Sequence, residues 1–178
     1  TAYKGVIVNS SGQVESLSGE TASIGSRLEL DSSTVEHTDS CPLGTDKYVA
    51  VYQDEGDSDK GKAVVVSASG TTLSKGTAVT FGNGTTTHIS CCKVTDTTFA
   101  VLYYYNSKFR AKLGTVSGTS ISFGAELDTG KDGTPGDFCS AIGYQSNVGG
   151  LLIVLATSNT GSTWPVYTCA HISGTSIV

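Results

Sequence analysis

The sequence predicts one all-β domain, and three observations support that prediction. The 178 residues include 22 Gly, 24 Ser and 24 Thr but only 15% charged residues, a composition that favours strands and turns over helices. The apolar residues, 38% of the chain, are grouped in strand-sized runs such as residues 47–52, 99–105 and 151–156. No segment shows a sustained helical period of apolar residues, so we expect no helix of consequence.

The chain repeats itself about every fifty residues. Ser-Gly pairs that begin at positions 18, 69, 117 and 173 recur in similar surroundings, with spacings of 51, 48 and 56 residues. Cys41, Cys91 and Cys139 each follow the glycine of such a pair by 21 or 22 residues, and an apolar run follows each cysteine. Three landmarks in the same order indicate one supersecondary unit that is used repeatedly.

Each repeat is expected to form four short antiparallel strands. The first carries the cysteine, the second is the apolar run, the third leads into the Ser-Gly turn, and the fourth alternates, as in residues 79–81 and 121–123. Such a unit is typical of a β-propeller blade. We therefore expect a β-propeller-like array of about four units with incomplete ends, or alternatively a β-sandwich. The expected units of this single domain (residues 1–178) are about 3–36, 37–87, 88–135 and 136–178.

Two segments, TFAVLYY at residues 98–104 and VSGTSISFG at residues 116–124, carry a resemblance. They resemble a strand and a turn of the β-propeller repeats of secreted microbial proteins, and the resemblance spans nearly the whole chain. It implies a propeller architecture but no functional residues, because such blades share packing residues and differ in their loops. More weakly, the chain resembles the β-rich protomers of glycosylated microbial surface fibrils.

Charge and cysteine content limit the partners and the habitat. A net charge of -5 without a basic run is unlike a nucleic-acid binder, so we expect no nucleic-acid partner. No apolar segment approaches membrane-spanning length, so we expect no membrane span. Five cysteines in a chain this rich in hydroxyl residues fit an oxidising compartment, which predicts an extracellular or cell-surface location.

Several residues are candidates for covalent glycans. Asn9 and Asn83 lie in Asn-x-Ser/Thr sequons within turn-like sequence, where a glycan can be accommodated. The run Thr85, Thr86 and Thr87 is a candidate for O-glycosylation, although threonines also suit a strand. We therefore expect a glycosylated chain.

The cysteines are expected to be disulfides or buried thiols, and two histidines add a metal alternative. The disulfide candidates are Cys41, Cys91, Cys92, Cys139 and Cys169. Five cysteines cannot all pair within one chain, and the sequence does not reveal the connectivity. If the inner strands converge on an axis, some of these thiols and the histidines would approach one another and bind zinc. That zinc set is His37, Cys41, His88, Cys91 and Cys139.

An acidic loop is a candidate site for calcium as a cofactor. Asp54, Asp57 and Asp59 lie close together before Gly61, and alternating carboxylates in a tight loop can wrap a hard cation. The distal bidentate Glu of an EF-hand is missing, and the equivalent loops of other repeats carry no acids. A solvated hairpin tip is the alternative interpretation.

The sequence predicts no catalytic centre. It contains no nucleophile elbow, no helical zinc-protease motif, no phosphate-binding loop and no dinucleotide-binding glycine pattern. Its acidic residues form no pair with a spacing that would predict glycoside hydrolysis. We therefore expect a protein that is not an enzyme.

The phase of the repeats predicts an assembly function. The first unit begins at its second strand and the last stops at the start of its fourth, so both ends expose unpaired backbone groups. A strand supplied by an identical subunit gives a head-to-tail contact that propagates. We expect a structural subunit of an extracellular filament or surface assembly. The strands concerned carry Tyr3, Val6, Val8, Thr175, Ile177 and Val178.

The alternative function is that of a carbohydrate-binding module, of the lectin or adhesin kind. Shallow pockets between repeats would then be lined by aromatic side chains, which stack on sugars. The candidates are Tyr103, Tyr105, Tyr144 and Trp164.

Overall fold

A computed structural model of the chain describes residues 6–8, 14–16, 25–132, 141–145, 151–157 and 165–178. This part contains sixteen β-strands and one short 3-10 helix, Glu55–Asp57, and no α-helix. No helix in it is long and apolar enough to cross a membrane. The strands are β1 (Val6–Val8), β2 (Val14–Ser16), β3 (Val35–Pro42), β4 (Lys47–Asp54), β5 (Lys60–Ser69), β6 (Thr72–Lys75), β7 (Val79–Gly82), β8 (Thr87–Lys93), β9 (Thr98–Tyr105), β10 (Lys108–Ser117), β11 (Ser120–Phe123), β12 (Leu127–Asp132), β13 (Ala141–Gln145), β14 (Leu151–Thr157), β15 (Pro165–Ser173) and β16 (Ser176–Ile177).

The strands form one hairpin, β1–β2, and three antiparallel sheets. Sheet I has the order β3-β4-β5-β6 with β7 also on β5, and sheet II has the order β8-β9-β10-β11 with β12 also on β10. Sheet III has the order β13-β14-β15-β16. The prediction of an all-β fold built from antiparallel sheets is confirmed, whereas the propeller-like array remains a prediction.

The outer edge of a sheet differs from the single alternating strand that the sequence suggested. In sheet I, β6 pairs with the second half of β5 and β7 pairs with its first half. In sheet II, β11 and β12 divide β10 in the same way. Residues 79–81 and 121–123 therefore occupy different halves of their outer edges, although both alternate in sequence.

Each outer edge is interrupted at a glycine that contacts the next repeat. The turn glycines Gly70, Gly118 and Gly174 have φ values of 58, 63 and 58°, a region that glycine adopts without steric cost. The carbonyl oxygen of the residue after each turn glycine lies against a glycine of the preceding repeat, so closely that a Cβ there would overlap it. The three pairs are Thr71 with Gly25, Thr119 with Gly76, and Thr175 with Gly124.

Two apolar cores lie between the sheets, one on each face of sheet II. Val49 and Val51 of sheet I pack against Phe99 of sheet II in the first core. Leu102 of sheet II packs with Ile177 of sheet III in the second. Because successive residues of β9 point to opposite faces, both cores draw on this strand, which explains its uninterrupted apolar run.

Candidate functional site

Sheet I carries an apolar groove on the face opposite to sheet II. Because side chains alternate along β4, Val49 points towards sheet II and Tyr48 points away from it. The groove has a volume of about 610 Å³, and Asp39 lies in its wall. Its apolar lining includes Leu28, Leu30, Tyr48, Ala50, Val66 and Leu73.

Among the described residues the groove is open, whereas the equivalent face of sheet II is covered. Tyr48 and Phe99 are both the second residue of the second strand of their sheets, yet Tyr48 is 45% exposed and Phe99 is 0% exposed. Leu73 and Ile121 are likewise the second residues of β6 and β11, and they are 41% and 8% exposed. Large exposed apolar side chains that cluster in a groove mark an interaction surface.

A segment from the preceding repeat forms one wall of the groove. Leu28 and Leu30 lie in residues 25–30, which run along the outer edge of sheet I. Lys75 holds this segment through a hydrogen bond from its Nζ to the Leu30 carbonyl oxygen at 2.6 Å. The wall is therefore tied to sheet I by polar as well as apolar contacts.

The inner strands bring two histidines and two thiols together. The rings of His37 and His88 stack with their centroids 5.5 Å apart, and both residues have positive φ. Cys41 and Cys91 are free thiols in or against the same core. The neighbouring Cys41 thiol, followed by burial, raises the pKa of the Cys91 thiol.

The wider set of sequence candidates around these thiols is only partly described. Burial raises the pKa of the Cys92 thiol, also free, to about 12. Cys139 and the Cys169 side chain lie outside the described residues. Within the described residues, no group of three or more His, Cys, Asp or Glu side chains could hold a metal ion.

The acidic loop is satisfied by lysines and by its own backbone. Asp54 Oδ1 accepts the Gly56 N–H at 3.0 Å, and Asp54 Oδ2 lies 3.2 Å from Lys62 Nζ. Asp57 pairs with both Lys60 and Lys62 at 2.8 and 2.7 Å. The three candidate calcium ligands do not converge, because the Asp59 carboxylate points to Thr85, whose hydroxyl donates to it at 3.4 Å.

We expect Lys60→Met to raise the pKa of Asp57 from about 2 towards its ordinary value of 3.8. The hydrogen bond from Lys60 is the first cause of the lowered pKa, and that from Lys62 is the second. A carboxyl with a lowered pKa stabilises the fold above its ordinary pKa, and this contribution is lost as the pH falls towards about 2. NMR titration of the Asp57 carboxyl carbon measures the shift.

The matched control is Lys93→Met, which removes a lysine that pairs with Asp96 at 2.6 Å instead. The Asp57 titration should be unchanged in that variant. An Asp57 pKa near 3.8 in the unmodified protein would contradict the lysine pairing.

The prediction that Tyr103 lines a sugar pocket is wrong. Tyr103 is 0% exposed, and its hydroxyl donates to Glu126 at 2.5 Å and lies 3.3 Å from the Phe81 carbonyl oxygen. Burial, and then the bond to Glu126, raise the pKa of Tyr103. Tyr105 is half-buried beneath the guanidinium of Arg110, 5.5 Å from the ring centre. The Tyr144 side chain and Trp164 lie outside the described residues.

The glycan candidates differ in accessibility. Asn83 and Thr85 are exposed. Thr86 is 0% exposed and its hydroxyl donates to the Gly84 carbonyl oxygen at 2.6 Å, which argues against a glycan there. Thr87 is half-buried, with its hydroxyl 2.9 Å from His88 Nδ1, and Asn9 lies outside the described residues.

The expected assembly strands are partly engaged within the chain. Ile177 is 3% exposed in the core between sheets II and III, and Thr175 contacts Gly124. Val178 is 61% exposed, although its backbone exchanges two hydrogen bonds with His171. Val6 and Val8 lie in β1, and Tyr3 lies outside the described residues.

The residues of the open groove escaped the sequence analysis. Tyr48 and Leu73 lie in strands that resemble those of the next repeat, so their own sequence pattern is the same as that of core residues. Comparison with protein-family models, curated proteins and solved structures gives no match for this chain. The groove and the repeat geometry therefore carry the functional interpretation.

Proposed function

We propose that this chain is a structural subunit of an extracellular filament or surface assembly, and that the open face of sheet I receives a sheet from a second copy. The observation that carries the proposal is the exposure of Tyr48 and Leu73, at positions whose equivalents in sheet II are buried. Removing exposed apolar side chains from water lowers the free energy of the protein. At the junctions of sheet I with sheet II and of sheet II with sheet III, a stacked sheet buries the equivalent side chains.

The chemistry of the groove favours a copy of this chain as the occupant. The same kind of face is covered by sheet I at Phe99, and by sheet II at Ile177. Both covering surfaces are apolar β-sheet faces of this chain. The contact joins two different faces, so it is heterologous, and a heterologous contact that does not close into a ring extends into a filament.

The recurring glycine contact supports a β-propeller-like array. The pairs at Gly25, Gly76 and Gly124 relate each repeat to the next in the same way. The inner strand β8 contacts both β3 and β13, as neighbouring inner strands do around a propeller axis. The same rotation and translation that relates one repeat to the next would also place one subunit after another.

Glycosylation and an extracellular location form part of the proposal. Asn83 and Thr85 are exposed in the connection between β7 and β8, outside both strands. A glycan at such a site adds a hydrated layer to a surface already rich in hydroxyl groups. Intact-mass measurement of the native material above the 18.3 kDa of the chain would support these attachments.

We expect the double substitution Tyr48→Ser and Leu73→Ser to abolish self-association. It removes the two most exposed apolar side chains of the groove without touching either core. Sedimentation velocity over a concentration series measures the effect, and the unmodified chain should form species larger than the monomer. The apparent association constant should fall by at least about a hundredfold, the equivalent of losing two buried apolar side chains.

The matched control is Tyr48→Phe with Leu73→Met, which keeps the groove apolar and should keep the association. A monomeric unmodified chain at the highest concentration would contradict the assembly proposal. So would equal association of the Ser and the Phe/Met variants.

A further inference from the structure

The inner strands β3 and β8 run side by side with their contacts in register. The rings of His37 and His88 stack 5.5 Å apart, and the Cys91 N–H donates to the Asp39 carboxylate at 2.8 Å. These two contacts advance in the same direction along both strands. Cys41 follows Asp39 on β3 by two residues, so it lies on the same face of β3 as the carboxylate that reaches Cys91.

Cys41 and Cys91 share one environment, and Cys92 does not. Cys41 is 4% exposed in the core between sheets I and II, and Cys91 packs against that same core. The Cys41 thiol is also the first cause of the raised pKa of the Cys91 thiol. Cys92 packs on the core between sheets II and III, because adjacent residues of a strand face opposite sides. Cys91 therefore lies on the side of β8 where it can pair with Cys41, whereas Cys92 lies on the opposite side.

We propose that Cys41 and Cys91 form a disulfide that joins sheet I to sheet II when the chain folds in an oxidising compartment. The thiolate of one cysteine attacks a small disulfide such as oxidised glutathione, releasing one glutathione thiolate and leaving a mixed disulfide. The other cysteine attacks this mixed disulfide, forms the Cys41–Cys91 bond and releases the second glutathione. Two thiol protons leave the protein, and its two electrons reduce the oxidant to two thiols.

The bond forms during folding rather than in the folded protein. The thiolate is the reactive form, and the contact with Cys41, followed by burial, raises the pKa of the Cys91 thiol. In the folded, reduced protein Cys91 therefore presents little thiolate at neutral pH, and Cys41 is only 4% exposed to an oxidant. Oxidation of the folded protein by glutathione should be slow, whereas oxidation during refolding should be complete.

The disulfide would link two neighbouring repeats covalently and so stabilise the contact between sheets I and II. The two cysteines are fifty residues apart in the chain, and closing a loop of that length strongly restricts the unfolded state. Reduction should therefore lower the Tm by the order of 10 °C. This proposal is independent of self-association, because it concerns a junction inside one chain.

Refolding in a glutathione redox buffer, followed by peptide mapping without reduction, tests the proposal. Tandem mass spectrometry of the unmodified chain should assign the cross-link to Cys41 and Cys91. Cys92→Ser should keep the cross-link and the fall in Tm on reduction, whereas Cys91→Ser should lose both. A Cys41 that stays free, that pairs with another cysteine, or that remains cross-linked in Cys91→Ser would overturn the proposal.

Discussion

Phe99→Ala is expected to lower the free energy of unfolding by about 3–5 kcal/mol, the usual cost of removing a buried phenylalanine. Phe99 is 0% exposed between sheets I and II, and its ring stacks edge-on against Phe123 at 5.7 Å. It lies over Gly114, its partner on β10, where a Cβ would meet the ring. Urea-induced unfolding monitored by circular dichroism measures the change.

Tyr48→Ala at the matched position of sheet I is the control. Tyr48 is 45% exposed and stands opposite Val66, so its loss should cost about 1 kcal/mol or less in the dissociated chain. The measurement is made at a concentration where sedimentation shows a monomer. Equal losses for the two substitutions would mean that Tyr48 is already covered within the chain, which would contradict the open face.

Gly76→Ala is expected to lower the free energy of unfolding by about 1–3 kcal/mol, as overpacking does. A Cβ at Gly76 would overlap the Thr119 carbonyl oxygen, which belongs to the backbone of a tight turn and cannot rotate away. Gly76 also donates its N–H to the Val65 carbonyl oxygen at 2.9 Å, so it cannot withdraw without losing that bond. The same urea titration measures this cost.

Gly44→Ala is the matched control for Gly76→Ala. The nearest atoms to a Cβ at Gly44 belong to Asp96, 3.9 Å away, which is ordinary contact distance. Its substitution should change the free energy of unfolding by about 0.5 kcal/mol or less. An equally small change for Gly76→Ala would contradict the close contact between Gly76 and the Thr119 carbonyl oxygen.

The strands could be predicted because the sequence signals for them are local. The Ser-Gly turns, the cysteine strands and the apolar runs recur in order, and the sheets contain strands at these places. Gly25, Gly76 and Gly124 also recur, each six residues after a Ser-Gly glycine. The close contacts that these glycines make could not be inferred from the sequence, because the carbonyl oxygens concerned lie more than forty residues further along the chain.

The candidate site could not be predicted, because exposure depends on the neighbouring sheet. Tyr48 and Phe99 begin apolar runs of the same kind, and only stacking makes one a surface residue and the other a core residue. One local difference was visible: Gly114 leaves room for Phe99, whereas Val66 stands opposite Tyr48.

The thiols and the acidic loop also depend on contacts that the sequence pattern does not specify. The neighbourhood of Cys41 and Cys91 follows from the register between β3 and β8, two strands of different sheets. The spacing of the carboxylates alone predicts a calcium ligand at Asp57. Lys60 and Lys62, in the adjoining strand, were present in the sequence and carry the charges that balance it.

A second copy of this chain is expected to cover the open face of sheet I. Photo-cross-linking from a benzoylphenylalanine in place of Tyr48 tests this contact, in a mixture of nitrogen-15-labelled and unlabelled chains. Cross-linked peptide pairs that combine one labelled and one unlabelled member are expected. Cross-links only between peptides with the same label would show that the chain covers its own groove, and no second copy would then occupy it.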